Sequence, residues 1–301
     1  MPNPTRTTPS RRTLLRAGAA APVAYAAGSL MATAPASGAS RSSAIADLER
    51  TYDATIGVAA WNVRTGDRIL HRGRTRFAMC SVFKSLVTAA VLRDHDRHSE
   101  TLDRRVFYPR RDVLEYAPVT SQHVKDGMLV RELCEAAITV SDNTAANLLL
   151  REVGGPQGLT DFIRSLGDKV TRLDRWETAL NSAVPGDPRD TTTPYAIASL
   201  MQQLVVEHAL NRRDRELLRD WMLANETSDD KFRAGLPSGW RLADKTGSGS
   251  YGTSNDVGVA WSPSGDPVVI AALTGREEQD AETTDPAALA DVAALVAKRL
   301  G

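Results

Sequence analysis

Stretches with the pattern of β-strands occur only toward the two ends of this chain, and that placement constrains the fold more than any other feature. "TIGVAAWNV" (55–63) and "RILHRG" (68–73) read as strands, with Thr65-Gly66-Asp67 as the turn between them. The pattern returns only in "WRLADKTG" (240–247), "SNDVGVAWSP" (254–263) and "PVVIAALTG" (267–275), where Pro263-Ser264-Gly265-Asp266 marks a hairpin. Between the two groups, apolar spacing predicts helices over 81–94, 130–138, 143–152, 156–166, 194–209 and 211–223. The fifth opens on Thr193-Pro194, a favourable helix start. Further helices are predicted in "SSAIADLERTYDA" before the first strand and "DPAALADVAALVAKRL" after the last. Strands so far apart form one sheet only if the two ends of the chain meet, and the short connections favour antiparallel pairing. The predicted class is therefore α+β: an antiparallel sheet built from both termini, flanked by helices, with an inserted all-helical lobe. Residues 41–77 and 230–301 make up the α/β lobe and residues 78–229 the helical one. A crevice between the lobes is the expected ligand site.

The first 40 residues have a different character. "SRRTLLRAGAAAPVAYAAGSLMATAPASGAS" sets Arg11 and Arg12 before an Ala/Leu-rich stretch that ends in small residues. This is the build of a secretory signal, the paired arginines suggest the twin-arginine route, and cleavage is expected between Ala26 and Ser40. Arg16 and Pro22 interrupt the apolar part, so no stable membrane span is expected. The chain has 37 basic and 37 acidic side chains, and removing the leader with its four arginines leaves a net charge of −4. Nothing in that balance suits nucleic acid. Two cysteines, Cys80 and Cys134, and five scattered histidines supply no metal-ligand spacing, so neither a metal nor another cofactor is expected. The leader implies a secreted or extracytoplasmic protein, and a monomer is expected.

Four short elements carry chemistry. Ser81-Val82-Phe83-Lys84 sets a hydroxyl and an amine one helical turn apart, in an apolar run where burial would depress the amine's pKa. Ser141-Asp142-Asn143 stands at the turn before "NTAANLLLREV", and all three residues would also suit a helix N-cap. Lys245-Thr246-Gly247 ends a strand and runs into "SGSYG". "RWETALN" places Glu177 and Asn181 within a polar stretch, 167–192, long enough inside a compact domain to signal function.

Taken in order, these elements resemble the class A serine β-lactamases, of the kind found in actinomycetes, over roughly residues 42–300. "VLEYAPVT" (113–120) and "RELCEAAITVSDNTAANLLL" (131–150) agree. The resemblance implies a β-lactam substrate, a catalytic water and four catalytic residues: Ser81 as nucleophile, Lys84 as base, Ser141 as proton donor to the leaving nitrogen, and Glu177 as activator of the deacylating water. Lys84 and Glu177 are both candidates for the acylation base. The resemblance further implies an oxyanion hole from the backbone N–H groups of Ser81 and Ser248. Lys245, Thr246, Gly247 and Ser248 would receive the substrate carboxylate, Asn143 its acylamide side chain, and Asn181 the water. Tyr116 would form a wall and Glu115 its rim. Arg175 and Asp190 match the ion pair that pins the catalytic loop, at about 172–190.

Three features depart from the family pattern. Thr178 follows Glu177 where many relatives have proline, Lys231 stands where many carry an arginine that supports the carboxylate site, and the position that would pair with Cys80 in disulfide-bonded carbapenemases is Gly249, while the other familiar pairing sets Thr88 opposite the region of Cys134. Two free, buried thiols are expected. Two rival readings share the first three motifs: a D-Ala-D-Ala peptidase and a β-lactam-sensing domain. Both would keep a long-lived acyl adduct and neither needs Glu177.

Overall fold

The computed structural model describes residues 37–95, 101–279 and 281–301, so residues 1–36 of the leader, with Arg11 and Arg12, fall outside the described residues. The chain begins with helix α1 (Ser37–Tyr52), then strands β1 (Thr55–Asn62), β2 (Arg68–His71) and β3 (Phe77–Ala78), and helix α2 (Phe83–Ala90). Strands β4 (Arg105–Val106) and β5 (Met128–Leu129) precede helices α3 (Val130–Thr139), α4 (Asn143–Glu152) and α5 (Gly155–Ser165). After a long loop come β6 (Thr191–Thr192), α6 (Pro194–Met201), α7 (Arg212–Leu223) and the short α8 (Phe232–Gly235). The chain closes with β7 (Arg241–Ser248), β8 (Ser254–Trp261), β9 (Pro267–Gly275) and α9 (Ala287–Leu300). Residues 36–301 form one compact unit.

The two ends do meet. Five strands pair in the order β2-β1-β9-β8-β7, antiparallel throughout, with Thr55 opposite Gly275 and Asn62 opposite Val268. Both faces of this sheet are covered. Along β9, Val268, Ile270 and Ala272 enter a core with Ile45 of α1 and Val292 and Val296 of α9. The alternate residues Val269, Ala271 and Leu273 enter the core of the helical side, with Phe83, Leu86 and Leu149. A strand buried on both faces needs an unbroken apolar run, which "PVVIAALTG" supplies.

Helix starts follow local chemistry. Asp142 caps α4 by accepting from Ala145 N at 2.9 Å, and Thr193 caps α6 by accepting from Ala196 N at 3.2 Å, with Pro194 at the first helical position. The expectation of an uninterrupted helix over 81–94 is corrected: Cys80–Val82 is a 3-10 turn, Phe83–Ala90 is α-helix, and Val91–His95 widens into a π-turn. The predicted helix over 194–209 likewise gives way to a π-turn at Gln202–Val206. Apolar spacing cannot tell 3.6 from 3 or 4.4 residues per turn over so short a segment.

The expected all-helical lobe also carries two ribbons, β4 with β5 and β3 with β6. Two-residue strands are too short to show alternation. Their placement matters, because β3 with β6 fastens the far end of the long loop beside the start of α2. Among the described residues, no helix is long and apolar enough to cross a membrane.

Candidate active site

Ser81 lies in the turn that leads into α2. The residue before it, Cys80, is held at φ 46°, a conformation uncommon outside glycine, and Ser141 adopts φ 59°. Such backbone clusters at active sites because the surrounding structure must impose it. Gly247 explains how β7 reaches the turn: a Cβ there would stand 2.9 Å from Met79 O and 3.2 Å from Ser81 N. Only a residue without a side chain lets the strand end pass so close to the hydroxyl-bearing turn.

Lys84 is fully buried, as the opening helix pattern implied. Its Nζ donates to Ser141 O at 2.7 Å, Asn143 Oδ1 at 2.6 Å and Ser141 Oγ at 3.2 Å, and lies 3.2 Å from Glu177 Oε1. Burial pushes the amine's pKa down, against the pull of Glu177 in the other direction. Glu177 approaches from the opposite side, with Oε1 3.5 Å from Ser81 Oγ and Oε2 accepting from Asn181 Nδ2 at 2.7 Å. Lys245, also fully buried, donates to Ser141 Oγ at 3.2 Å and Thr246 O at 3.0 Å. The Ser141 hydroxyl therefore sits between two amines. Burial first and the charge of Lys84 second bring Lys245 down to about 7.

The loop that carries Glu177 is tied at both ends. Asp190 Oδ1 accepts from Asp174 N at 2.7 Å and Arg175 N at 2.9 Å, its Oδ2 accepts from Arg175 Nε at 2.5 Å, and its carbonyl accepts from Met79 N at 2.9 Å. Sequence reasoning missed Asn147 on α4, which clamps Glu177 through the backbone: its Oδ1 accepts from Glu177 N at 3.0 Å and its Nδ2 donates to Glu177 O at 3.1 Å. The Glu177-Thr178 peptide bond is cis.

An open pocket of about 300 Å3 lies above these groups. Of the expected site residues, Ser81, Tyr116, Ser141, Asn143, Asn181, Lys231, Thr246, Gly247 and Ser248 line it, while Lys84, Glu177 and Lys245 are buried beneath. Tyr116 is half exposed on the rim. Glu115, expected at the rim, is exposed beside Tyr116 and is not among the lining residues. Thr227 is a further lining residue that the sequence did not signal, and its Oγ1 stands 2.5 Å from Thr246 Oγ1. A second cleft, of about 350 Å3, lies behind the loop around Arg76 and Arg189 and holds none of this chemistry.

Cys80 and Cys134 are free and buried, as expected. A Cβ at Gly249 would come within 2.7 Å of Cys80 Sγ. Among the described residues, no group of His, Cys, Asp and Glu is arranged to hold a metal.

Comparison with known proteins gives a consistent answer. A family model for the beta-lactamase enzyme family matches residues 40–300. The β-lactamase of Streptomyces albus G is 50% identical over 99% of this chain and all of its own, and the β-lactamase AST-1 of Nocardia asteroides is 47% identical over 97% and 96%. The solved structure of the Streptomyces albus G β-lactamase superposes with a TM-score of 0.85 at 53% identity, covering 87% of this chain and all of that one. An ancestral class A β-lactamase gives 0.82 at 52% identity, covering 86% and 99%.

Proposed function

Because this chain belongs to the class A β-lactamases, which are β-lactam hydrolases, we propose that it opens the lactam ring through an acyl-enzyme on Ser81 and clears it with water activated by Glu177. The observation that carries the reading is the buried Lys84–Glu177 contact at 3.2 Å, reaching Ser81 on one side and Ser141 on the other.

Ser81 Oγ attacks the lactam carbonyl and gives up its proton to the Lys84–Glu177 pair, whose facing atoms lie 3.2 Å apart. The tetrahedral oxygen is stabilised by the backbone N–H groups of Ser81 and Ser248, a contribution of roughly 3–4 kcal/mol per donor in comparable sites. Gly247 brings the second donor beside the first. Collapse breaks the C–N bond, and the nitrogen takes a proton from Ser141 Oγ, replenished from Lys84 at 3.2 Å. The acyl ester then meets a water held by Glu177 and Asn181, which lie 2.7 Å apart. Glu177 removes its proton, the water oxygen attacks the ester carbonyl, the acyl C–Oγ bond breaks, and Ser81 Oγ takes that proton back from Glu177, 3.5 Å away. Thr246 and Ser248, supported by Lys231, meet the substrate carboxylate at the far end of the pocket, with the charge of the buried Lys245 beneath them. Asn143 bonds the acylamide and Tyr116 covers it.

We further propose that the protein is exported through its Arg11-Arg12 leader, acts outside the cytoplasm as a monomer, and confers β-lactam resistance there.

Intact mass of the mature protein exposed to benzylpenicillin, beside Glu177→Ala, tests the mechanism. The expected result is rapid return of the wild type to native mass while the variant retains one drug mass. A persistent adduct on both would transfer the chain to the peptidase or sensor reading, and no adduct on either would refute Ser81 acylation.

A further inference from the structure

Two acidic side chains face each other inside the sheet, outside the catalytic set. The register places Asp244 of β7 opposite Gly258 and Asp256 of β8 opposite Thr246. Asp244 and Asp256 therefore leave the same face of the sheet as diagonal neighbours, close enough for their carboxyl groups to hydrogen-bond. Both are fully buried. The outer oxygen of each is well supplied: Asn225 Nδ2 donates to Asp244 Oδ2 at 2.8 Å, while Ser228 Oγ and Phe232 N donate to Asp256 Oδ2 at 2.8 and 3.2 Å. The inner oxygen of each, Oδ1, is buried with no donor among the described residues within hydrogen-bond reach. The nearest cation is Arg233 of α8, whose Nη2 stands 3.6 Å from Asp244 Oδ1. Lys231, in the turn before α8, and Lys245, on the other face of β7, are the remaining charged groups that act on the pair.

Two anions pressed together in the interior, each with an orphaned oxygen, would be costly twice over, through desolvation and through mutual repulsion. One proton removes both costs. It neutralises one carboxyl and supplies the missing donor, so that a single O–H···O bond satisfies both inner oxygens. We propose that Asp244 and Asp256 hold one proton between their inner oxygens, as an acid and its conjugate carboxylate, and that this bond fastens the end of β7 that presents Lys245, Thr246 and Gly247. Burial raises both carboxyls, and Asp244 rises further because Asp256 adds its charge. The pair then leaves one negative charge, not two, next to Lys245. The proton is independent of the hydrolase reading, and only its bearing on Lys245 rests on it.

Asparagine is the matched probe, because an amide is isosteric with a protonated carboxyl and donates from the same place. In Asp244→Asn, the amide oxygen keeps the bond from Asn225 and the NH2 group donates to Asp256 Oδ1. In Asp256→Asn, the amide oxygen keeps Ser228 and Phe232 N, and the NH2 group donates to Asp244 Oδ1. In the double variant, two NH2 groups meet with no acceptor between them. The expected result is that each single variant is at least as stable as the wild type and the double variant less stable than either. Two unprotonated anions would predict a clear gain in each single variant over the wild type, and because either change alone removes the repulsion the two gains would not add.

A proton count gives a second readout. The folded pair keeps a proton that both unfolded carboxyls have lost above about pH 4, so wild-type stability falls as pH rises from there through the raised folded pKa. Calorimetric unfolding at neutral pH, in buffers of different ionisation enthalpy, should release one proton more from the wild type than from either single variant. Equal proton counts, or a double variant as stable as the singles, would overturn the proposal. Should a single variant not fold, infrared spectra of wild type labelled with 13C at its aspartate carboxyls decide the matter: a protonated-acid band at neutral pH is expected, and its absence overturns the proposal. Both single variants should still turn over benzylpenicillin. A wild type that does not turn it over would count against the hydrolase reading and leave the proton result standing.

Discussion

Replacing Asp190 with asparagine tests the claim that the Glu177 loop is held by one carboxylate. Oδ1, which accepts from two backbone N–H groups, survives the change as an amide oxygen, while Oδ2 becomes an NH2 group facing Arg175 Nε. Donor meets donor, and the ion pair is lost. Breaking a desolvated pair by removing one partner costs about 3–5 kcal/mol. The Arg175 side chain is 20% exposed and keeps Ser182 Oγ at 2.9 Å, so about 3 kcal/mol is expected, at the lower end. Asp190→Ala also strips two backbone donors of their acceptor, at about 1–3 kcal/mol each, for a loss of about 5 kcal/mol or more. The loop can open without the sheet, so global melting registers only part of either loss, whereas amide exchange registers it directly. At about 1.4 kcal/mol per decade, the asparagine variant should exchange the Asp174 and Arg175 amides roughly a hundredfold faster. Its benzylpenicillin adduct should outlast that of the wild type, because Glu177 is no longer held. Wild-type exchange rates in Asp190→Asn would refute the reasoning, since they would show that the two backbone hydrogen bonds alone pin the loop.

Two further outcomes follow from the site and the leader. Lys245 has a folded pKa of about 7 against an ordinary 10.5, so the ammonium that attracts the substrate carboxylate is lost as pH rises through about 7. kcat/KM should fall along that limb while kcat holds, because a bound anion restores the charge; Lys245→Arg should abolish the limb, and an unchanged limb would assign it to another group. Replacing Arg11 and Arg12 together with lysine should retain uncleaved precursor inside the cell, and undiminished mature protein outside it would refute the export route.

The residues at the centre of this site were legible because their chemistry depends on short local spacing. Ser81 and Lys84 are one helical turn apart, and Glu177 and Asn181 share one short segment. Sheet class was legible for a similar reason: apolar runs at both ends of the chain admit few arrangements. Asn147 was not legible, because on α4 it reads as one polar position on a helix and nothing local says that it clamps a distant backbone. Asp256 was hidden by a different effect. Antiparallel strands ordinarily show one wet face, so "SNDVGVAW" invites an exposed aspartate, yet helices cover both faces and β8 is buried from Ser254 to Ala260.

The strand order has a consequence for how the protein is made. β9 lies at the centre of the sheet, yet it is the last strand in the chain, and its pairing joins Thr55 to Gly275, 220 residues later. At typical rates of synthesis, β1 waits roughly 10–45 seconds for its second neighbour, with only β2 along one edge. Throughout that interval its other edge is an open, apolar template of the kind that recruits stray strands. Lys245 arrives in the same late segment as β9, so the nucleophile on α2 is built long before the residues that complete its surroundings. A ribosome that stalls before β9 would release a chain whose helices can pack but whose sheet lies in two unjoined pieces.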